Sequence, residues 1–277
     1  MIHRVTGHNT GVLFCFTSAG GLRQVPVQKE RFLMEQRVAL ITGGVRGIGR
    51  AVAVALAERG WAVAASYRRS EEQARSLAAE IRALGKQALI LHADVADPAA
   101  AEELVRRAAA EFGRIDALVN CAGSYHRTPL LEESTEGWHA MLNDNLHTVF
   151  YLSRAAAKGM IERKWGRIVN FSIAKADQLV GQPFITAHYI AKVGVLILTR
   201  SLAKILAPHG ITANSISPGF IESGSMPQEE FAQLTKNIPA GYIGNPGDAA
   251  SVVLYLLSEE ARYVNGTNIH LSGAWGI

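Results

Sequence analysis

Val38-Ala39-Leu40-Ile41-Thr42-Gly43-Gly44-Val45-Arg46-Gly47-Ile48-Gly49 decides the reading of this chain. An apolar run breaks into spaced glycines, and an Ala/Val/Leu-rich stretch follows at once. A buried strand that turns through glycines into a helix offers free backbone N–H groups and the positive end of the helix dipole to a phosphate. The segment therefore reads as a dinucleotide pyrophosphate cradle, with Gly43, Arg46, Gly47, Ile48 and Gly49 as cofactor-binding residues.

Outward from this turn, short apolar runs alternate with longer amphipathic ones, the rhythm of βαβ units. Strands are expected at 37–42, 62–67, 87–92, 115–119, 166–172, 211–217 and 267–271. Helices are expected near 48–59, 71–84, 98–112, 136–163, 189–207 and 247–257. The strands lack strict polar alternation, as strands buried on both faces do. Pro98 suits a first helical turn, and Gly60, Gly85, Gly113 and Gly210 suit helix ends. The expected fold class is α/β: one doubly wound, Rossmann-like parallel sheet of about seven strands with helices on both faces.

With 277 residues and 48% hydrophobic content, the chain can bury a sizeable single core. No apolar run approaches the length of a membrane span, so no membrane partner is expected. The net charge is +4, but Arg4, Arg23, Lys29 and Arg31 stand against Glu30 alone in the first 33 residues. The remainder is nearly neutral and carries no basic stripe, which argues against a nucleic-acid partner. Two cysteines, Cys15 and Cys121, make no disulfide framework, and a cytoplasmic setting is the default. No HExxH or CxxC occurs and the nine histidines are scattered, so no metal is expected.

The second strand ends in Ser66-Tyr67-Arg68-Arg69-Ser70, without the acidic residue that would hold a ribose 2′-OH. Arg68 and Arg69, with Arg46 in the glycine loop, suit a 2′-phosphate instead, and Tyr67 joins them in the expected cofactor set. The expected cofactor is NADP(H).

Downstream stand Asp94-Val95, Asn120-Cys121-Ala122-Gly123, Asn145, Ile168-Val169-Asn170-Phe171-Ser172, the Tyr189/Lys192 region and Ser217-Pro218-Gly219. In this order the chain resembles the short-chain dehydrogenase/reductase family over about residues 36–277. It looks most like the 3-oxoacyl-carrier-protein reductase and pteridine reductase types. The resemblance implies that Asp94 and Val95 meet the adenine and that Asn120, Ala122 and Gly123 lie by the adenosine ribose. It implies Pro218, Gly219 and Ser223 at the nicotinamide end, and Asn145 holding a proton-relay water. Lys192 would hold the nicotinamide ribose and lower the pKa of a catalytic tyrosine, a group that ordinarily titrates near pH 10.

The catalytic segment departs from the family pattern. Lys192 aligns through Val193-Gly194-Val195, but four residues before it stands His188, and Tyr189 is only three before. Both spacings share a helical face with the lysine. Tyr189, His188 or neither remains open as the proton donor. Ser172 is followed by Ile173 where the family has its catalytic serine, and neighbouring strand positions face opposite sides. Asp177, in an apparently lengthened loop, is a poorer stand-in.

The expected function is NADP-dependent reduction of a ketone or β-ketoacyl carbonyl, with Asn145, Ser172, Tyr189, His188 and Lys192 as the catalytic set. The alternatives are a dihydropteridine-type reductase acting on a C=N bond and a catalytically impaired NADP(H)-binding sensor. The expected partners are a small-molecule carbonyl or pterin substrate and further copies of the chain, as a dimer or tetramer. Residues 1–33 read as an N-terminal extension, disordered or not translated, ahead of the NAD(P)-binding domain at 34–277. The intact mass of the native protein is expected to match a start at Met34; a full-length mass overturns that reading.

Overall fold

The computed structural model describes residues 12–16, 22–26, 36–222 and 233–277. The chain divides into two units, Met1–Gln36 and Arg37–Ile277. In the first, β1 (Val12–Phe16) pairs antiparallel with β2 (Leu22–Pro26), a ladder where the sequence shows no strand period.

The second unit carries seven parallel strands: β3 (Val38–Thr42), β4 (Ala62–Tyr67), β5 (Ala88–His92), β6 (Ala117–Asn120), β7 (Gly166–Phe171), β8 (Ile211–Pro218) and β9 (Asn268–Leu271). Their order across the sheet is β5-β4-β3-β6-β7-β8-β9. The helices are α1 (Gly47–Glu58), α2 (Glu71–Ala83), α3 (Pro98–Phe112), α4 (Thr135–Leu142), α5 (Thr148–Arg163), α6 (Thr186–Leu206) and α7 (Pro246–Leu257). The doubly wound Rossmann-like α/β sheet is thus as expected, with strand ends within two residues of the expected ones.

Successive strand residues point to opposite faces, and the core divides accordingly. Ile41, Val63, Val119 and Val169 pack with Val52 and Leu56 of α1, Leu77 of α2 and Val253 and Leu256 of α7. Leu40, Ala64, Leu118 and Ile168 pack on the other face with Leu104 of α3, Leu152 and Met160 of α5 and Leu206 of α6. The five inner strands, β4, β3, β6, β7 and β8, are buried on both faces almost throughout, which is why they read as continuous apolar runs.

The winding direction reverses between β3 and β6, and there the chain ends nearly touch. The Ala122 N–H donates to Thr42 Oγ1 at 3.2 Å. Gly43 has φ +62°, and a Cβ there would meet Ala122 Cα at 3.1 Å. A side chain at Gly49 would run into the backbone of Gly43 and Gly44. The turn is therefore closed to any larger residue, and it leaves a crevice above the carboxyl ends of β3 and β6.

One departure matters for the site. The single helix expected over 136–163 is interrupted by a π-helical turn, Asn143–His147, between α4 and α5. The wider turn sets Asn145 inward, where it is 1% exposed. Such bulges are rare and cluster at functional positions.

At the opposite end of the sheet, the buried Asp116 carboxylate accepts from the Val38 N–H at 2.9 Å and from Arg114 Nη2 at 2.7 Å. Removing it leaves a buried backbone donor and a half-sheltered guanidinium without this acceptor. Asp116→Ala is expected to lower the unfolding free energy by about 3 kcal/mol, read as a shift of the urea midpoint with an unchanged slope.

Candidate active site

A cavity of about 590 Å³ lies over the switch point. Its floor is Gly43, Arg46, Ala122 and Gly123; its rim is Tyr67, Arg68, Arg69, Asp94 and Val95. These nine are residues that the sequence assigns to the cofactor. Gly47, Ile48 and Gly49 open α1 beside it. A larger cleft of about 720 Å³ runs along α1 and α7, but apart from Gly47 it collects none of the candidate side chains.

Asn120 is in a different place from the others. It is buried beneath the floor, where its Nδ2 donates to Asn170 Oδ1 at 2.8 Å, and Asn170 Nδ2 in turn donates to Thr199 Oγ1 at 2.9 Å. This amide chain ties β6, β7 and α6 together, and Asn120 does not line the cavity. Arg68 reaches Asp94 and Asp144, each at 3.5 Å, so carboxylates already neighbour the rim cation. Pro218 ends β8, and the Gly219 N–H donates to Leu271 O. Ser223 lies outside the described residues.

Beyond Gly123 the catalytic candidates gather. Asn145 Nδ2 donates to Ser124 O and Met141 O, at 2.9 and 3.0 Å. Its Oδ1 is buried and has no partner. A Cβ on Gly123 would lie 2.6 Å from that oxygen and 3.6 Å from Lys192 Nζ, so the two polar ends flank one glycine. Lys192 is 9% exposed, and its Nζ donates to Phe171 O at 3.0 Å. Burial pulls its pKa down to about 8, against a smaller upward pull from the neighbouring Cys121. Burial also pushes the Cys121 thiol up to about 12, so it is no nucleophile at neutral pH.

Two of the candidate hydroxyls are bonded elsewhere than to Lys192 Nζ. Tyr189 is buried, but its hydroxyl donates to Lys175 O at 2.6 Å and accepts from the Val180 N–H at 3.2 Å. It braces the 173–185 loop, in which Lys175 and Leu179 both hold left-handed backbone, and it makes no bond with Lys192. The cause is helical register: one residue turns a side chain about 100° around the axis. Ser172 is likewise withdrawn, its Oγ donating to Lys192 O at 2.8 Å. The strand pleat aims it at α6, as expected for a position one short of the family's serine.

His188 stands at the four-residue spacing from Lys192. It lies one turn before Lys192 on the same face, more than nine-tenths buried, with Nδ1 enclosed and unpartnered. The ring meets Tyr125 edge-on, with centroids 5.2 Å apart. Burial first, then the charges of Lys192 and His126, push its pKa down to about 3, so the ring is a neutral imidazole.

Asp177 pairs with His270 at 2.7 Å, away from Lys192. The same loop is latched to the last residues: Gln178 Nε2 donates to Gly276 O, Lys175 Nζ sits 4.8 Å from the Trp275 ring centre, and Trp275 packs on Phe220. Sequence reasoning missed Tyr125, which is set by its place two residues after Gly123, and Asp144 and Thr148, which line the cavity because of the π turn. Among the described residues no group of three or more His, Cys, Asp or Glu is arranged to hold a metal. No helix among them is long and apolar enough to cross a membrane.

The cradle closed to side chains at Gly43 and Gly49, the cavity above it and the orphaned Asn145 oxygen together fit a nicotinamide dinucleotide. Comparison with known proteins agrees. Residues 43–274 match the family model described as enoyl-(acyl carrier protein) reductase. The chain is 37% identical over 239 residues to the 3-oxoacyl-[acyl-carrier-protein] reductase FabG of Staphylococcus aureus, covering 85% of this chain and 96% of that protein. It is 35% identical to FabG of Escherichia coli over 242 residues, 86% of this chain and 97% of that one. Among solved structures, a blue fluorescent protein from a metagenomic library in complex with NADPH superposes with a TM-score of 0.82 at 33% identity, covering 88% of this chain and 99% of that one. A short-chain dehydrogenase/reductase from Serratia marcescens gives 0.82 at 32% identity with the same coverage. The chain belongs to the short-chain dehydrogenase/reductase family of nicotinamide-dependent oxidoreductases.

Proposed function

We propose that the protein is an NADPH-dependent reductase of a ketone or β-ketoacyl carbonyl, with His188 in the proton donor's position beside Lys192. The observation that carries this reading is the pair of polar ends, Lys192 Nζ and the free Asn145 oxygen, flanking Gly123, with His188 buried one helical turn before the lysine. The FabG relatives are 3-oxoacyl-carrier-protein reductases by name, and the superposed metagenomic blue fluorescent protein is in complex with NADPH.

Gly43, Gly47, Ile48 and Gly49 would hold the pyrophosphate; Asp94 and Val95 the adenine; Ala122, Gly123 and the Asn120 backbone the adenosine ribose. Arg46, Arg68 and Arg69, with Tyr67, would take the 2′-phosphate, since nothing acidic stands at the tip of β4 itself. Lys192 would hold the nicotinamide ribose, with Pro218, Gly219 and Ser223 along the nicotinamide. When bound, NADPH supplies hydride to the carbonyl carbon. His188 would give its ring N–H proton to the carbonyl oxygen and regain one from solvent, the Lys192 ammonium would stabilise the charge developing there, and Asn145 Oδ1 would orient a water at the lysine.

Ile190, Ile197 and Ile205 form an exposed apolar stripe on α6, and Phe150 is exposed on α5. Such a face suits a contact between copies, so the working form is read as a dimer or tetramer in the cytoplasm. A second reading, an NADP(H)-binding sensor, draws on the withdrawn hydroxyls of Ser172 and Tyr189.

NADPH oxidation over ketones, β-ketoacyl thioesters and dihydropterins separates these readings. Turnover with the carbonyls is expected; turnover with dihydropterins alone selects the C=N alternative, and tight binding without turnover selects the sensor. NADPH is expected to bind more tightly than NADH, and Arg68→Gln to weaken NADPH about tenfold while leaving NADH nearly unchanged. A tighter NADH constant refutes the cofactor assignment. Because the folded state keeps His188 neutral down to about pH 3 while the unfolded chain protonates near 6.5, stability is lost as pH falls through that window. His188→Gln is expected to flatten that acid-side loss in urea titrations.

A further inference from the structure

The three rim arginines are not in the same condition. Among the described residues, Arg46 and Arg69 have no carboxylate partner, whereas Arg68 has two. Its Nη1 lies 3.5 Å from Asp94 Oδ1 and 3.5 Å from both carboxylate oxygens of Asp144. The backbone beneath is anchored as well, since His92 Nε2 donates to Arg68 O at 3.0 Å.

The two carboxylates hold Arg68 unequally. The Asp94 side chain is half exposed, and its Oδ1 also accepts the Ala96 N–H at 3.1 Å, so water and a local turn share its charge. The Asp144 side chain is only 15% exposed. Its carboxylate has no partner but Arg68 among the described residues. Asp144 comes from the π turn, Asn143–His147, which brings it to the wall of the same cavity as Arg68 and Arg69. A sheltered ion pair is screened less than an exposed one, so Asp144 is the stronger holder.

On the footing of the NADPH reading, we infer that Asp144 sets how strongly the protein prefers NADPH over NADH, by competing with the cofactor's 2′-phosphate for the Arg68 guanidinium. To take a phosphate in its planar fork, Arg68 has to turn Nη1 away from Asp144. That movement leaves a sheltered carboxylate without its counter-charge, beside a second anion. With a hydroxyl in place of the phosphate, as in NADH, no such exchange is required. Asp144 therefore weakens one cofactor and not the other. It is a specificity-determining residue, and it lies next to Asn145 without sharing that residue's role.

The test is cofactor binding to the full chain in the absence of substrate, read from nicotinamide fluorescence. It compares the natural protein with Asp144→Asn, Arg68→Gln and the double variant. Asp144→Asn is expected to tighten NADPH about five- to tenfold and to leave NADH within about twofold. In the Arg68→Gln background the same substitution is expected to move NADPH by less than about twofold, because the contested guanidinium is gone. Tightening that persists there is plain repulsion between carboxylate and phosphate, and it overturns the competition. Unchanged or weaker NADPH binding by Asp144→Asn overturns it too, as does equal tightening of both cofactors. Asp144→Ser carries the same comparison if Asp144→Asn loses the melting temperature of the natural protein. The natural protein's own ratio tests the underlying reading separately. NADH bound more tightly than NADPH refutes the cofactor assignment, while the shift on Asp144→Asn still decides the role of Asp144.

Discussion

Everything in this molecule hangs on the close approach of β3 and β6 at their carboxyl ends. Where the winding reverses, the first residues of two loops lie against each other, with Ala122 N–H on Thr42 Oγ1. Parallel strands buried on both faces can leave a polar crevice only at such a point. The rim arginines, the glycine floor and the π turn that carries Asn145 are arranged around it. Without that contact the glycine turn and the Asn145 and Lys192 side chains would have no common frame.

Beneath the crevice, the Asn120–Asn170–Thr199 chain of amides and hydroxyl runs from β6 through β7 to α6. It links the cofactor floor to the helix that presents His188 and Lys192. Buried polar groups are costly unless bonded, so this chain fixes one register of α6 against the sheet. The lateral placement of α6 is thus set from below, and its rotation by the Ser172 bond to Lys192 O.

The fold was legible because burial on both faces writes itself as uninterrupted apolar runs, and the glycines mark the turn by leaving no room for a Cβ. Asn145 was legible as a residue, but not the π turn that buries it: helical periodicity over 136–163 carries no sign of one extra residue in a turn. The pairing of Arg68 with Asp94 and Asp144 also escaped, since those residues come from three separate segments. Spacing alone placed Tyr189 and His188 on the same broad face as Lys192. It could not say which hydroxyl or ring would face the cavity, because that depends on loop 173–185, whose backbone carbonyl at Lys175 and N–H at Val180 claim the tyrosine.

That competition between loop and cavity for one phenol has a genetic side. Tyr189 stands a single residue too close to Lys192, so the separation between imidazole and phenol chemistry amounts to one codon. A one-residue insertion between them would carry the tyrosine to the ring's position and strip the 173–185 loop of its brace in the same event. On the proposed reading, a change of acid at this position is therefore coupled to reshaping of the loop that Tyr189 now holds.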